Sequence, residues 1–276
     1  YTLNISAAKN PNIVYIMADE LAYYELSHMG NRYIKTPNID KFAAEGIRFT
    51  SALAGAPVCA PLRCNLMTGK HAGHASIRAN DGGTPLRENE TTIASMLKNI
   101  GYETGGFGKW GCGGRDSTGV PEKHGFDLFY GYYDQVHAHS FYPSYLIRNS
   151  IEVELKGNKG GRSGQTYSHY QIMEAGLSFI REKKDKPFFC YFPITPPHGM
   201  YDIPKNDPSW KLYENDIPSS LKLGTIVAID TEAMGLNHQR DRLCLIQLSN
   251  GNEICHLVKI NNVNIKPKNL IKLLKN

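Results

Sequence analysis

Apolar and polar positions along this chain sort into two kinds of stretch. Short apolar runs at 12–18, 47–53, 102–107 and 187–194 read as strands. The first is continuous enough for a strand buried in a sheet. Between the runs, 38–45, 62–68, 91–99 and 168–182 read as helices. In the last of these, Ile172, Met173, Leu177, Phe179 and Ile180 recur with a helical period, the mark of a core-facing stripe. Strands alternating with helices predict an α/β fold, a mostly parallel sheet flanked by helices.

The pattern changes near residue 213. A β-rich run from Leu223 to Ile229 ends in Asp230-Thr231-Glu232. A second run covers 242–249, Asn250-Gly251-Asn252 signals a hairpin, and a third run covers 253–258. Leu270, Ile271, Leu273 and Leu274 suit a short amphipathic helix in the Lys-rich end, Pro267 to Asn276. The chain therefore divides into regions 1–212 and 213–276, joined near Lys211 to Glu214 without a recognisable linker.

Composition adds bounds. With 276 residues and 41% hydrophobic content, there is material for one large or two small domains. No apolar run approaches the roughly eighteen to twenty residues that cross a bilayer, so no membrane partner is expected. A net charge of +5 suits anionic ligands without saying which kind. The six cysteines form no CxxC pair, and most of them read as buried thiols rather than a disulfide framework. The Gly-rich 157–164 stretch lacks the Gly-Lys-Ser/Thr ending of a phosphate loop and reads as a plain loop. No signal peptide is visible, though its removal before Tyr1 would leave this N-terminus; without an initiating Met, the chain reads as a fragment or a processed form.

Chemistry concentrates at four places. In Cys59-Ala60-Pro61-Leu62-Arg63 a proline opens a helix, and helical spacing puts the thiol and the guanidinium on one face. Free N–H groups and the positive helix end beside them suit an anion. The helix body then runs to a stop at Gly69. The run 12–18 delivers Asp19 and Glu20 at its C-terminal end, where two carboxylates suit a hard cation or simply water. Lys109 lies among glycines in Gly105-Gly106-Phe107-Gly108-Lys109-Trp110-Gly111, small neighbours that let a backbone approach a ligand. His198 follows Pro196-Pro197 in a stiff loop after the last apolar run.

These motifs, with Thr36-Pro37-Asn38-Ile39-Asp40 opening the first helix, resemble the sulfatase family of the alkaline-phosphatase-like fold, from about Asn12 to about Trp210. The resemblance implies hydrolysis of sulfate esters, with Cys59 oxidised by a formylglycine-generating enzyme. Arg63 would hold the formylglycine hydrate, Lys109 would bind sulfate or the hydrate, and His198 would serve the leaving-group side. Asp19 and Glu20 would give part of a Ca²⁺ shell. The substrate would be a sulfated small molecule or glycan, and the compartment periplasmic or extracellular. The sequence departs from the family at Leu62, where a small residue is usual, and at Glu20, where Asp is usual. Gly111 stands where many members have His, and His137 and His139 at alternate spacing are either its substitutes in substrate binding or ordinary surface. The later Asp-Asn pair and second Lys of the family are not recognisable, so this region is expected to be an incomplete, inactive N-terminal half.

Residues 214–276 resemble the start of a ribonuclease D-like 3′–5′ exonuclease of the ribonuclease H-like fold, through Ile229-Asp230-Thr231-Glu232 and Asp241-Arg242-Leu243. That resemblance implies RNA as partner, a cytoplasmic setting, and Asp230 and Glu232 as the first ligands of a two-ion Mg²⁺ or Mn²⁺ site. One carboxylate pair cannot clamp two ions, so no nuclease turnover is expected. Two partial domains from unrelated families read as a chimeric or fragmentary, non-catalytic product.

Overall fold

The computed structural model describes residues 10–22, 25–31, 33–198 and 202–213, and beyond them three strands. The chain divides into two compact units, Tyr1–Ile203 and Pro204–Asn276. The first unit contains strands β1 (Ile13–Asp19), β2 (Glu103–Lys109), β3 (Leu128–Tyr132), β4 (Tyr145–Arg148), β5 (Ile151–Glu154) and β6 (Phe188–Pro197). Its α-helices are α1 (Pro37–Glu45), α2 (Cys59–Thr68), α3 (Ile93–Asn99) and α4 (Ser168–Lys183).

The strands form one sheet in the order β1-β6-β2-β3-β4-β5. β1, β6, β2 and β3 run parallel, and β4 and β5 continue the sheet antiparallel. The apolar run of β6 explains its central position. Phe189 and Tyr191 enter a core with Met67 of α2, Ala94 of α3, Trp110, Phe126 and Phe129. Phe188, Cys190 and Phe192 alternate into the opposite core with Phe107 and with Ile172 and Phe179 of α4. A strand covered on both faces has no polar side to show.

Glycines in β2 make room for those aromatic rings. A Cβ on Gly105 would meet Phe107 and Phe179, one on Gly106 would meet Phe129 and Phe126, and one on Gly108 would lie 2.1 Å from the Pro193 carbonyl oxygen. The expectation that these glycines admit a ligand is therefore corrected: their neighbours are protein. Two other expectations also change. The run 47–53 has no strand, and Ile47, Phe49 and Leu53 are exposed, because no strand edge pairs with it among the described residues. β1 is an edge strand among the described residues, with Val14, Tyr15 and Ile16 exposed instead of buried.

In the second unit, α5 (Pro208–Tyr213) precedes β7 (Ala228–Ala233), β8 (Leu243–Ser249) and β9 (Cys255–Lys259). These strands form an antiparallel sheet in chain order. Asp230 and Glu232 lie within β7, opposite Gln247 and Leu245, not after the strand's end as the sequence suggested, because the β8 pairing continues through them. The expected strand residues 223–227, the turn 250–252 and the helix over 267–276 lie outside the described residues.

Candidate functional site

The start of α2 presents the thiol. Val58 enters the helix in an extended conformation and has no side-chain cap. Cys59 and Pro61 occupy the first turn, where the missing proline N–H has no helical partner to lose. The Ala60 N–H is not free for an anion, as first expected, because it donates to Asn80 Oδ1 at 3.1 Å. At the other end Gly69 adopts φ 66° and its N–H closes on the Asn65 carbonyl, the expected glycine stop. Arg63, one turn beyond Cys59, is 1% exposed. Its Nη1 donates to the Lys109 carbonyl, and its Nη2 lies 3.3 Å from Asp19 Oδ1 without hydrogen-bond alignment.

Parallel strands end on one edge of their sheet, the edge where α/β folds collect ligands. Here β1 ends in Asp19, β2 in Lys109, and β6 leads into His198. Lys109 is wholly buried, and its Nζ donates to Asp19 Oδ2 at 2.8 Å. Cys59 Sγ donates to Asp19 Oδ1 at 3.6 Å. Burial alone would raise the Asp19 carboxyl, but the Arg63 and Lys109 charges beside it bring it below its ordinary value. Burial pushes the Cys59 thiol up, although Lys109 and Arg63 pull the other way.

His198 completes the group. Its Nε2 is 3.3 Å from Glu20 Oε1, its Nδ1 is buried without a partner, and its ring stacks on His139 with centroids 4.4 Å apart. Glu20 adopts the left-handed φ of 61°, which turns the chain out of β1. The structure thus brings Asp19, Glu20, Cys59, Arg63, Lys109, His139 and His198 together. A cavity of about 350 Å³ opens beside them, lined by Asp19, Cys59, Asn80, His139 and His198, with Leu62 on its wall.

His137 does not join them. The two histidines lie in a 3-10 turn, His137–His139, and not on a strand, so alternate spacing does not give them one face. His137 packs instead between the Tyr132 and Tyr145 rings, where burial lowers its pKa. The space a side chain at Gly111 would need belongs to Gln135, whose Nε2 would be 2.1 Å from such a Cβ. That Nε2 donates to the Gly111 carbonyl at 3.2 Å. Sequence reading missed both Asn80 and Gln135; neither lies in a motif, and only tertiary contact brings them here. Asp230 and Glu232 belong to the second unit, where the structure describes the path of β7.

Metal donors also converge. Asp19, Cys59 and His198 offer an oxygen, a sulfur and a nitrogen within 4.8 Å of one another. Calcium takes about six to eight oxygen ligands. Among the described residues the carboxylates here are Asp19 and Glu20, and the other converging donors are a sulfur and a nitrogen, so this donor set falls short of an all-oxygen calcium shell.

Comparison with known proteins follows the same chain segments. The family profile described as Sulfatase matches residues 11–220. Human "Arylsulfatase D" is 44% identical over 138 residues, 45% of this chain and 23% of that protein. The "Ulvan-active sulfatase" of Formosa agariphila is 32% identical over 228 residues, 81% of this chain and 42% of that protein. This chain therefore spans less than half the length of either curated relative. The solved structure of Ps i-CgsB with k-i-k-neocarrahexaose superposes at TM-score 0.64 and 24% identity, covering 78% of this chain and 51% of that one. At that identity the likeness carries the fold: an alkaline-phosphatase-like sheet flanked by helices.

Proposed function

The chain belongs to the sulfatase family, and from that premise we propose that it carries the nucleophile-bearing half of a sulfate-ester hydrolase. The observation that carries the reading is Cys59 in the first turn of α2, with Sγ 3.6 Å from Asp19 and two buried cations on that same carboxylate. Formylglycine made from Cys59, general to the family, would supply the oxygen nucleophile that takes sulfate from its ester. The position fits that modification: the side chain is half-buried against the cavity, with Pro61 and Arg63 at the motif spacing.

The chain's own residues have physical work to do around that position. Lys109 has no exposure to water, so its ammonium keeps a fixed place and its charge is weakly screened. Arg63 keeps Nε and Nη2 without aligned hydrogen bonds, and its charge beside Asp19 adds positive potential where negative charge develops on sulfate oxygens. His198, facing the cavity, is the group that would give a proton to the departing alcohol oxygen. His139, stacked on it, has its pKa lowered by burial and by its cationic neighbours. A neutral second imidazole adds no competing charge. Arylsulfatases and the ulvan-active enzyme among the relatives support a sulfated small molecule or glycan as substrate class. Maturation would need a formylglycine-generating enzyme, and a periplasmic or extracellular setting is part of the same proposal.

The test is release of sulfate from an aryl sulfate by chain co-expressed with a formylglycine-generating enzyme. Turnover that Cys59→Ala abolishes supports the reading. Equal turnover in Cys59→Ala, or none from chain whose Cys59 has been converted, removes the activity from this chain.

For the second unit the reading is a ribonuclease D-like exonuclease start. It comes from the sequence motif around Asp230 and Glu232 alone; the structure adds only that β7, β8 and β9 pair antiparallel with the two acids two positions apart on β7. Shortening of labelled RNA with Mg²⁺, abolished by Asp230→Asn, would support it. Intact RNA removes it for this chain.

A further inference from the structure

The donor set at the pocket is wrong for calcium and right for a different ion. Zinc accepts thiolate, imidazole and carboxylate together, and keeps an open position when three protein ligands hold it. Asp19, Cys59 and His198 present one of each within 4.8 Å. We propose that while Cys59 keeps its sulfur, this chain binds Zn²⁺ through Asp19, Cys59 and His198, with a fourth position for water or an anion.

The surroundings supply what such a site needs. Lys109 holds Asp19 Oδ2, leaving Oδ1 on the side of Cys59 Sγ, 3.6 Å away. A ligating carboxylate that is itself hydrogen-bonded is the usual outer-shell arrangement. His198 has a ring nitrogen to spare, since Nδ1 is buried with no partner while Nε2 meets Glu20. Zinc would displace the thiol proton to solvent, leaving a thiolate. Charge is the opposing factor, because Arg63 and Lys109 stand against Asp19. Asp19 and Glu20 balance those two positive charges before the ion enters, and the thiolate formed on binding adds a negative charge beside the ion.

The proposal does not rest on the hydrolase reading. It concerns the unconverted chain alone, because loss of the sulfur removes one ligand of three. Its consequence is that zinc shields the Cys59 sulfur from reagents.

The experiment uses chain expressed without a formylglycine-generating enzyme and stripped of metal by a chelator. Titration with Co²⁺ is expected to give a thiolate-to-cobalt charge-transfer band that Cys59→Ala lacks. Competition against a chromophoric chelator is expected to show Zn²⁺ affinity falling by more than about 100-fold in Cys59→Ala and in His198→Ala, and excess Ca²⁺ is expected not to displace the ion. In unaltered chain, Zn²⁺ is expected to slow iodoacetamide alkylation of Cys59, mapped by peptide mass spectrometry; this arm needs no variant to fold. Absence of the cobalt band, unchanged alkylation, or zinc binding retained in Cys59→Ala would overturn the proposal.

Discussion

Lys109 donates to Asp19 at 2.8 Å from the end of β2 to the end of β1, with the lysine fully out of water and the carboxylate nearly so. Two strands that are not neighbours meet at this contact, since β6 lies between them. Arg63 adds a second cation to the same carboxylate. Removing one partner of a buried pair leaves the other charge uncompensated, a cost of about 3–5 kcal/mol. Asp19→Ala, which strands two cations, is expected to destabilise the first unit by at least that much in urea unfolding. Loss of under about 1 kcal/mol, the range of exposed pairs, would mean the cations are solvated.

Acid should act on the same carboxylate. The folded state holds the Asp19 carboxyl below its ordinary value, so the unfolded chain binds the proton more readily. The stability this lends is complete above the ordinary carboxylate range, near pH 4, and is lost as pH falls through the folded value. Asp19→Asn is expected to flatten unfolding free energy against pH in that acid window, measured by urea titrations from pH 6 to pH 2.

Asp40 gives a local test of the Thr36 to Asp40 segment. Its carboxyl falls to about 2, first through the Ser27 hydroxyl and then through Thr36 and His28, against the effect of burial. Thr36 spends its hydroxyl on this carboxylate at 2.8 Å and makes no cap to the helix backbone. Ser27→Ala is expected to move the Asp40 titration toward 3.8, read by NMR of the carboxyl carbon. Because the folded value is depressed, stability from Asp40 is present above the ordinary value and disappears on acidification.

Gly108 tests why β2 is rich in glycine. It sits at φ 141°, and an added Cβ would lie 2.1 Å from the Pro193 carbonyl oxygen, a backbone atom that cannot swing away. Gly108→Ala is expected to cost more than about 1 kcal/mol of stability and to loosen the β2–β6 approach. Gly82→Ala, also at positive φ but with open space around it, separates backbone strain from collision.

Periodicity made the parallel core legible. The run that became β6 and the α4 stripe carry their pattern in sequence because each faces a continuous apolar surface, while the β1 run is apolar although much of it lies exposed at the sheet edge. β3, β4 and β5 were not read, since they are short and rich in Tyr, Gly and charge. One signal was available: Asn149-Ser150, both at positive φ, form the two-residue turn between β4 and β5. At the site, Cys59, Asp19, Lys109 and His198 were legible because each lies in a local motif. Asn80 and Gln135 act through space alone, and His137 was misassigned because a 3-10 turn and a strand can carry the same His-x-His spacing.

The central claim is that the α2 start presents Cys59 for oxidation. Peptide mass spectrometry of the chain after co-expression with a formylglycine-generating enzyme tests it most directly. The account predicts the aldehyde at Cys59, with buried Cys64, Cys112 and Cys190 remaining thiols. Cys59 recovered wholly as thiol would contradict it.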